Sequence, residues 1–93
     1  MAIPTQTTGL ATQTPWLEGV TARIVTRMGL RLNNPNATVD ITEHPRPGLA
    51  TTHKAHCQPC GWQDDAYADR NKVLDKAQYH ADLCSALPKP TTA

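Results

Sequence analysis

The three cysteines of this 93-residue chain stand in a pattern that also includes a histidine. Cys57 and Cys60 are separated by two residues, His80 and Cys84 by three, and nineteen residues lie between the two pairs. A tight turn can bring two thiolates to one ion, and residues four apart on a helix share a face. Four such donors in a tetrahedral arrangement suit zinc. The pattern therefore predicts a zinc site with ligands Cys57, Cys60, His80 and Cys84.

Three alternatives to this ligand set stay open at the level of sequence. His53 and His56 lie just before the cysteine turn, and either can replace His80 as the imidazole donor. The Cys-x-x-Cys pair can be a thioredoxin-like redox motif, although the βαβ pattern that accompanies such motifs is not visible. Cys84 can also be an ordinary small buried residue beside a surface histidine.

A metal would matter because the chain contains little apolar material for a core. Leu, Ile and Val total 15 residues, Phe is absent, and 12 alanines account for much of the 39% hydrophobic content. A core of this size seldom supplies more than about 3–5 kcal/mol, whereas structural zinc in finger peptides binds with about 10–16 kcal/mol. The composition excludes a large enzyme with a deep apolar pocket, and a net charge of +1 excludes a strongly basic polymer-coating protein.

The N-terminal part predicts a flexible arm over residues 1–13 and an amphipathic helix and turn over residues 14–37. Apolar side chains recur at helical spacing from Pro15 to Met28, and proline suits the first helical position. Beside the apolar side chains lies a predicted basic stripe of Arg23, Arg27 and Arg31. This stripe is either a solvated flank of the helix or a contact for phosphate or an acidic partner.

Residues 38–86 predict a finger-like ββ(β)α module. The segment 38–43 alternates apolar and polar side chains, which is typical of a half-buried strand. The segment 49–56 is a second strand candidate, so that a hairpin leads into the cysteine turn. The three residues at 61–63 predict a short returning strand.

A C-terminal helix is predicted to begin at Asp64 and Asp65, as cap and dipole partners, and to run to about residue 85. Trp62 directly follows the cysteine turn and is predicted to cover the zinc site as a lid. Two prolines within residues 87–93 prevent continuation of the helix and predict a flexible tail. The chain as a whole is predicted to be a small zinc-stapled α+β domain with an N-terminal helix, a β-hairpin, a zinc knuckle and a C-terminal helix.

Over residues 49–86 the chain resembles a zinc finger of the three-Cys, one-His kind. It differs from the two-Cys, two-His finger in its last ligand, Cys84, and in a spacer of 19 residues where that finger has about 12. The run His-Cys-x-x-Cys-Gly-Trp, followed later by His-Ala-x-x-Cys, looks like short zinc-finger proteins of actinobacterial plasmids and phages. The resemblance implies a metal-dependent small domain and assigns no activity.

The predicted zinc ligands and the charge of the module indicate which classes of function to expect. Catalytic zinc keeps one position open, whereas four protein ligands close the shell, so no enzyme is expected. Residues 53–86 carry four Lys and Arg against five Asp, a balance of −1 that does not favour phosphate. A protein-interaction adaptor that binds through the first helix, the hairpin or Trp16 is therefore favoured. The alternative is a DNA-binding regulator of a phage or mobile element, in which the three arginines contact phosphates.

The expected location is the cytoplasm, where thiols stay reduced and Cys pairs often bind metal. A secreted disulfide framework usually has an even number of cysteines, so three cysteines fit such a framework poorly. The N-terminal fourteen residues contain no Lys or Arg and no apolar run of signal-peptide length. No stretch approaches the roughly 18 apolar residues of a membrane span, so no membrane partner is expected.

Overall fold

The computed structural model describes residues 13–87, and its three strands form one antiparallel sheet. The elements in chain order are β1 (Val20–Val25), α1 (Arg27–Arg31), β2 (Thr38–Arg46), β3 (Leu49–Cys57) and α2 (Arg70–Leu83). The strands lie in the order β1-β2-β3, and α2 packs on one face of the sheet. The α+β class, the hairpin and the C-terminal helix are confirmed. Within this range no helix combines the length and apolar character that a bilayer crossing needs.

The predicted N-terminal helix over residues 15–28 is wrong. The middle of this segment is β1, which follows a turn in which Gly19 has a φ of +91°. The segment Val20–Val25 is rich in β-branched residues, which favour a strand over a helix. Pairing with β2 gives this segment its backbone hydrogen bonds. The segment is followed by the short helix α1, capped by Thr26, whose hydroxyl accepts a 3.0 Å hydrogen bond from the Gly29 N–H.

The core lies between the sheet and α2 and is as small as the composition predicts. Its buried side chains are Val39, Ile41, Ala55, Cys57, Val73, Ala77, Ala81 and Cys84. Successive residues of a strand point to opposite faces, and the side chains of β2 and β3 in this set stand two positions apart. Because α2 presents mainly alanine to the sheet, the two layers approach closely but bury little apolar area. Two of the three cysteines therefore form part of the core itself.

The hairpin is longer than predicted. β2 continues through His44 and Pro45 to Arg46, and the register shifts at this point, as is usual where proline is tolerated in a strand. The turn into β3 contains Gly48, whose φ of +71° is a conformation that glycine adopts readily. The predicted third strand at 61–63 is reduced to one isolated bridge between Gln63 and His56. The predicted arm and tail, apart from Gln13 and Leu87, lie outside the described residues.

α2 begins at Arg70, later than the predicted start at Asp64 and Asp65, and its N-cap is Asp69. The Asp69 carboxylate accepts hydrogen bonds of 3.0 and 3.3 Å from the second and third helical N–H groups. We expect Asp69→Ala to lower the free energy of unfolding by about 1 kcal/mol in urea denaturation, because these N–H groups lose their acceptor. Asp65→Ala removes an exposed carboxylate outside the helix and is the matched control. Equal losses in the two variants would contradict the assigned cap.

Candidate metal centre

The structure brings the four predicted ligands together where β3 ends and α2 ends. One ligand atom from each of Cys57, Cys60, His80 and Cys84 lies within 4.8 Å of the others. The Cys57 and Cys84 Sγ atoms are 3.7 Å apart, and Cys60 Sγ lies 3.3 Å from His80 Nε2. Zinc bond lengths of about 2.0–2.3 Å place neighbouring donors of a tetrahedral site about 3.5–3.8 Å apart. These two separations lie close to that range, so the four side chains could hold one metal ion, and the distances are consistent with zinc.

Backbone hydrogen bonds shape the cysteine turn. The Gly61 N–H donates to the Cys57 carbonyl at 2.9 Å and closes the turn, and Gly61 has a φ of +83°. The Cys57 N–H donates to the Trp62 carbonyl at 2.7 Å, which brings the chain back beside β3. A side chain at position 61 would strain this left-handed conformation. The turn therefore directs the Cys57 and Cys60 thiols towards one point.

The second pair of ligands lies on the last turn of α2. The Cys84 N–H donates to the His80 carbonyl at 2.8 Å, so the two residues keep helical spacing although Cys84 is the C-cap. The helix ends there, close to the predicted residue 85. The Cys84 carbonyl also accepts a 3.3 Å hydrogen bond from the Met28 N–H. This contact attaches α1 to the end of α2 that carries the ligands.

The protonation of the ligand group is uneven. Burial raises the pKa of the Cys57 thiol to about 12. Burial also acts to raise the pKa of Cys60, but hydrogen bonds from the Trp62 backbone and from the other two thiols outweigh it, and the net pKa is lowered. Burial lowers the pKa of His80, which favours the neutral imidazole that binds metal. The exposed Cys60 thiol and the His80 imidazole are therefore more easily available in the deprotonated form than the Cys57 thiol, whose proton a bound ion must displace.

Trp62 lies flat against the imidazole of His80. The ring centroids are 4.3 Å apart and the ring planes differ by 7°. Stacked rings of this kind fix the orientation of the imidazole and keep water from one of its faces. Trp62 is partly buried against the core cluster, so it connects the ligand group to the apolar interior.

His53 and His56 lie outside the group of four whose ligand atoms are within 4.8 Å of one another. His56 stands opposite Asp40 in the β2–β3 pair, and its Nδ1 is 3.1 Å from the side-chain nitrogen of Gln58. His53 exchanges backbone hydrogen bonds with Tyr67, and its Nδ1 is buried without a hydrogen-bond partner. His80 is therefore the imidazole that the structure places beside the three cysteines.

The predicted basic stripe does not form one helix face, because its members lie on different elements. Arg23 belongs to β1 and pairs with Asp40 at 3.4 Å, with only 7% and 12% of the two side chains exposed. It also donates to the Thr14 carbonyl at 3.2 Å. Arg27 and Arg31 are exposed on α1. The sequence pattern suggested Arg23 as a partner contact, but its charge is already neutralised inside the fold.

A shallow groove of about 510 Å³ adjoins the ligand group. It is lined by Trp62 and Asp64 and, from α2, by Asp75, Lys76, Tyr79, His80 and Leu83. Tyr79 and Leu83 are 71% and 57% exposed and adjacent on the helix, so the groove presents neighbouring large side chains to solvent. This surface was not predicted from the sequence. The signal was the four-residue spacing of these two side chains on a helix face that does not contact the sheet.

Comparison of the chain with protein-family models, with curated proteins and with solved structures found no match. The resemblance to plasmid and phage finger proteins gains no support from these comparisons. The functional conclusion therefore depends on the geometry of the site.

Proposed function

We propose that this chain is a non-enzymatic binding module whose fold is held together by one structural zinc ion. The observation that carries the proposal is the convergence of four ligand atoms within 4.8 Å from two elements far apart in the sequence. Cys57 on the sheet and Cys84 on the helix are both core residues, so an ion bound to them links the two layers of the domain directly. The apolar core between those layers is too small to make this link unnecessary.

The donor set favours a structural role over a catalytic one. Three thiolates and one imidazole complete a tetrahedral shell and leave no position for water or substrate. Their combined charge of −3 outweighs the +2 of the ion, which makes the centre a poor Lewis acid. Chemistry that needs an open zinc position would require one of these ligands to leave.

The partner that the surface favours is a protein. The groove beside the ligand group offers exposed aromatic and aliphatic side chains, which are the usual anchors of protein contacts. A nucleic-acid partner has less support, because Arg23 is paired inside the fold and only Arg27 and Arg31 of the basic stripe stay exposed. An acidic finger module also lacks the positive charge that supplies most non-specific affinity for DNA.

The test is the metal content of the purified chain and the spectrum of its cobalt derivative. We expect one zinc per chain, and a cobalt(II) form with tetrahedral d–d bands and thiolate-to-metal charge transfer. Cys84→Ser should lose the intense tetrahedral spectrum, whereas His53→Ala and His56→Ala should keep it as matched controls. A chain that binds no stoichiometric metal, or whose His80→Ala variant binds as tightly as the parent, would contradict the proposal.

A further inference from the structure

The outward face of α2 is both apolar and acidic. Asp75, Tyr79 and Leu83 follow one another at four-residue spacing, and Asp82 lies next to them on the same side of the helix. Asp64 and Lys76, which also line the groove, pair with each other at 3.4 Å. The Asp82 carboxylate accepts a hydrogen bond from the uncharged amide of Gln78, at 2.7 Å, and forms no ion pair within residues 13–87, so its negative charge is not neutralised there. The groove therefore suits a ligand that brings an apolar anchor together with positive charge.

The short helix α1 carries the complementary surface. Leu30 is 69% exposed, and Arg27 lies three residues before it on the same helix. Arg31, which is also exposed, is one turn from Arg27. Leu32, just after the helix, is 52% exposed. Neither arginine forms an ion pair with another part of residues 13–87. This part of the chain thus presents an apolar anchor together with positive charge, and it is complementary to the apolar and acidic groove.

We propose that α1 of a second copy of this chain docks in the groove formed by Trp62, Tyr79 and Leu83. Leu30 enters the apolar part of the groove, and Arg27 and Arg31 face Asp75 and Asp82. The helix α1 does not cover the groove of its own chain, since the large apolar side chains of both surfaces are exposed.

A symmetric dimer can make this contact twice. Within one chain the Met28 N–H of α1 donates to the Cys84 carbonyl at the end of α2. The exposed surface of α1 and the groove beside α2 therefore belong to the same end of the domain. A two-fold axis can then pair each α1 with the groove of the other copy, which is the commonest symmetry of soluble homo-oligomers.

The inference rests on the proposed zinc site, because the groove includes a ligand. His80 lines the groove, and Trp62 stacks on its imidazole with ring centroids 4.3 Å apart. An ion bound at His80 Nε2 fixes that ring and so the position of Trp62. Self-association is therefore expected only in the metal-loaded chain, and it should weaken as salt screens the arginine and aspartate charges.

The experiment is sedimentation equilibrium of the full zinc-loaded chain from micromolar to near-millimolar concentration, combined with a charge swap. Two double variants are needed: Asp75→Arg with Asp82→Arg, and Arg27→Asp with Arg31→Asp. Each alone should weaken dimerisation at least tenfold, because like charges then face each other. An equimolar mixture of the two should associate again, since both contacts of the mixed dimer regain opposite charges. Glu18→Arg with Glu43→Arg, two exposed acids away from both surfaces, is the matched control and should dimerise like the parent.

The outcomes separate this inference from the proposed function. A folded, zinc-loaded chain that stays monomeric overturns the dimer and leaves the zinc site intact, whether or not another protein occupies the groove. Dimerisation that neither charge reversal weakens, or that the mixture fails to restore, also overturns it. A chain without stoichiometric zinc would instead contradict the proposed function, which the metal analysis detects before any sedimentation run.

Discussion

Removal of the metal is expected to abolish the cooperative unfolding transition of this chain. Structural zinc contributes about 10–16 kcal/mol to folding in finger peptides at neutral pH. The buried core here consists of five Val, Ile and Cys side chains and three alanines, and it cannot replace that contribution. Circular dichroism during heating should show a sharp transition for the zinc-loaded chain and a broad, featureless change after chelation. Restoring zinc should restore the sharp transition.

Single ligand variants separate the effect of the metal from the effect of burial. Cys57→Ser removes a ligand and also places a hydroxyl in the core, where Cys57 is fully buried. Cys60→Ser removes a ligand at an exposed position, so it leaves the core unchanged. If zinc holds the fold, both variants should lose cooperative unfolding. A Cys60→Ser protein that melts as sharply as the parent, or a chelated parent that does so, would rule out a structural ion.

The metal centre could be predicted from the sequence because its chemistry is carried by residue type and local spacing. Cys57 and Cys60 share one turn, and His80 and Cys84 share one helical turn. Each pair is therefore positioned by local geometry alone. A single further requirement, that the two pairs meet, follows from the preference of zinc for four ligands. The structure brings the four ligand atoms within 4.8 Å, and the identity of the ion stays a prediction.

The N-terminal half could not be predicted in the same way, because its structure depends on a distant partner. The segment that forms β1 has apolar residues at spacings that fit a helix as well as a strand. Val20–Val25 becomes a strand through pairing with β2, and the partner of Ile24 is Val39. No local sequence pattern indicates that β1 pairs with β2. The start of α2 was missed for a related reason: three aspartates precede it, and only the backbone geometry selects Asp69 as the cap.

The same distant pairing explains why the basic stripe was misinterpreted. On a helix, Arg23 would share a face with Arg27 and point to solvent. On β1 it stands opposite Asp40 of β2, and the sheet brings the two charges together. A residue that suggested a phosphate contact in the sequence is therefore an internal ion pair in the structure. This pair is the basis of the second large effect that we expect.

Asp40→Ala is expected to lower the free energy of unfolding by about 3 kcal/mol, because it leaves the Arg23 charge buried and unpaired. The Asp40 carboxylate accepts from Arg23 Nε at 3.4 Å and from the Gln58 side-chain amide at 3.3 Å, so the variant also removes a second, partly buried contact. Urea denaturation of the zinc-loaded protein measures the change.

The double variant Arg23→Met with Asp40→Leu provides the decisive comparison for this pair. Replacing both charges with apolar side chains of similar size removes the unpaired charge, so stability should return close to that of the parent. Asp65→Ala, which deletes an exposed carboxylate, controls for the change in net charge and should cost little. If Asp40→Ala costs no more than Asp65→Ala, the Arg23 side chain is solvated in solution, and its charge is then free to contact an acidic partner as the sequence pattern suggested.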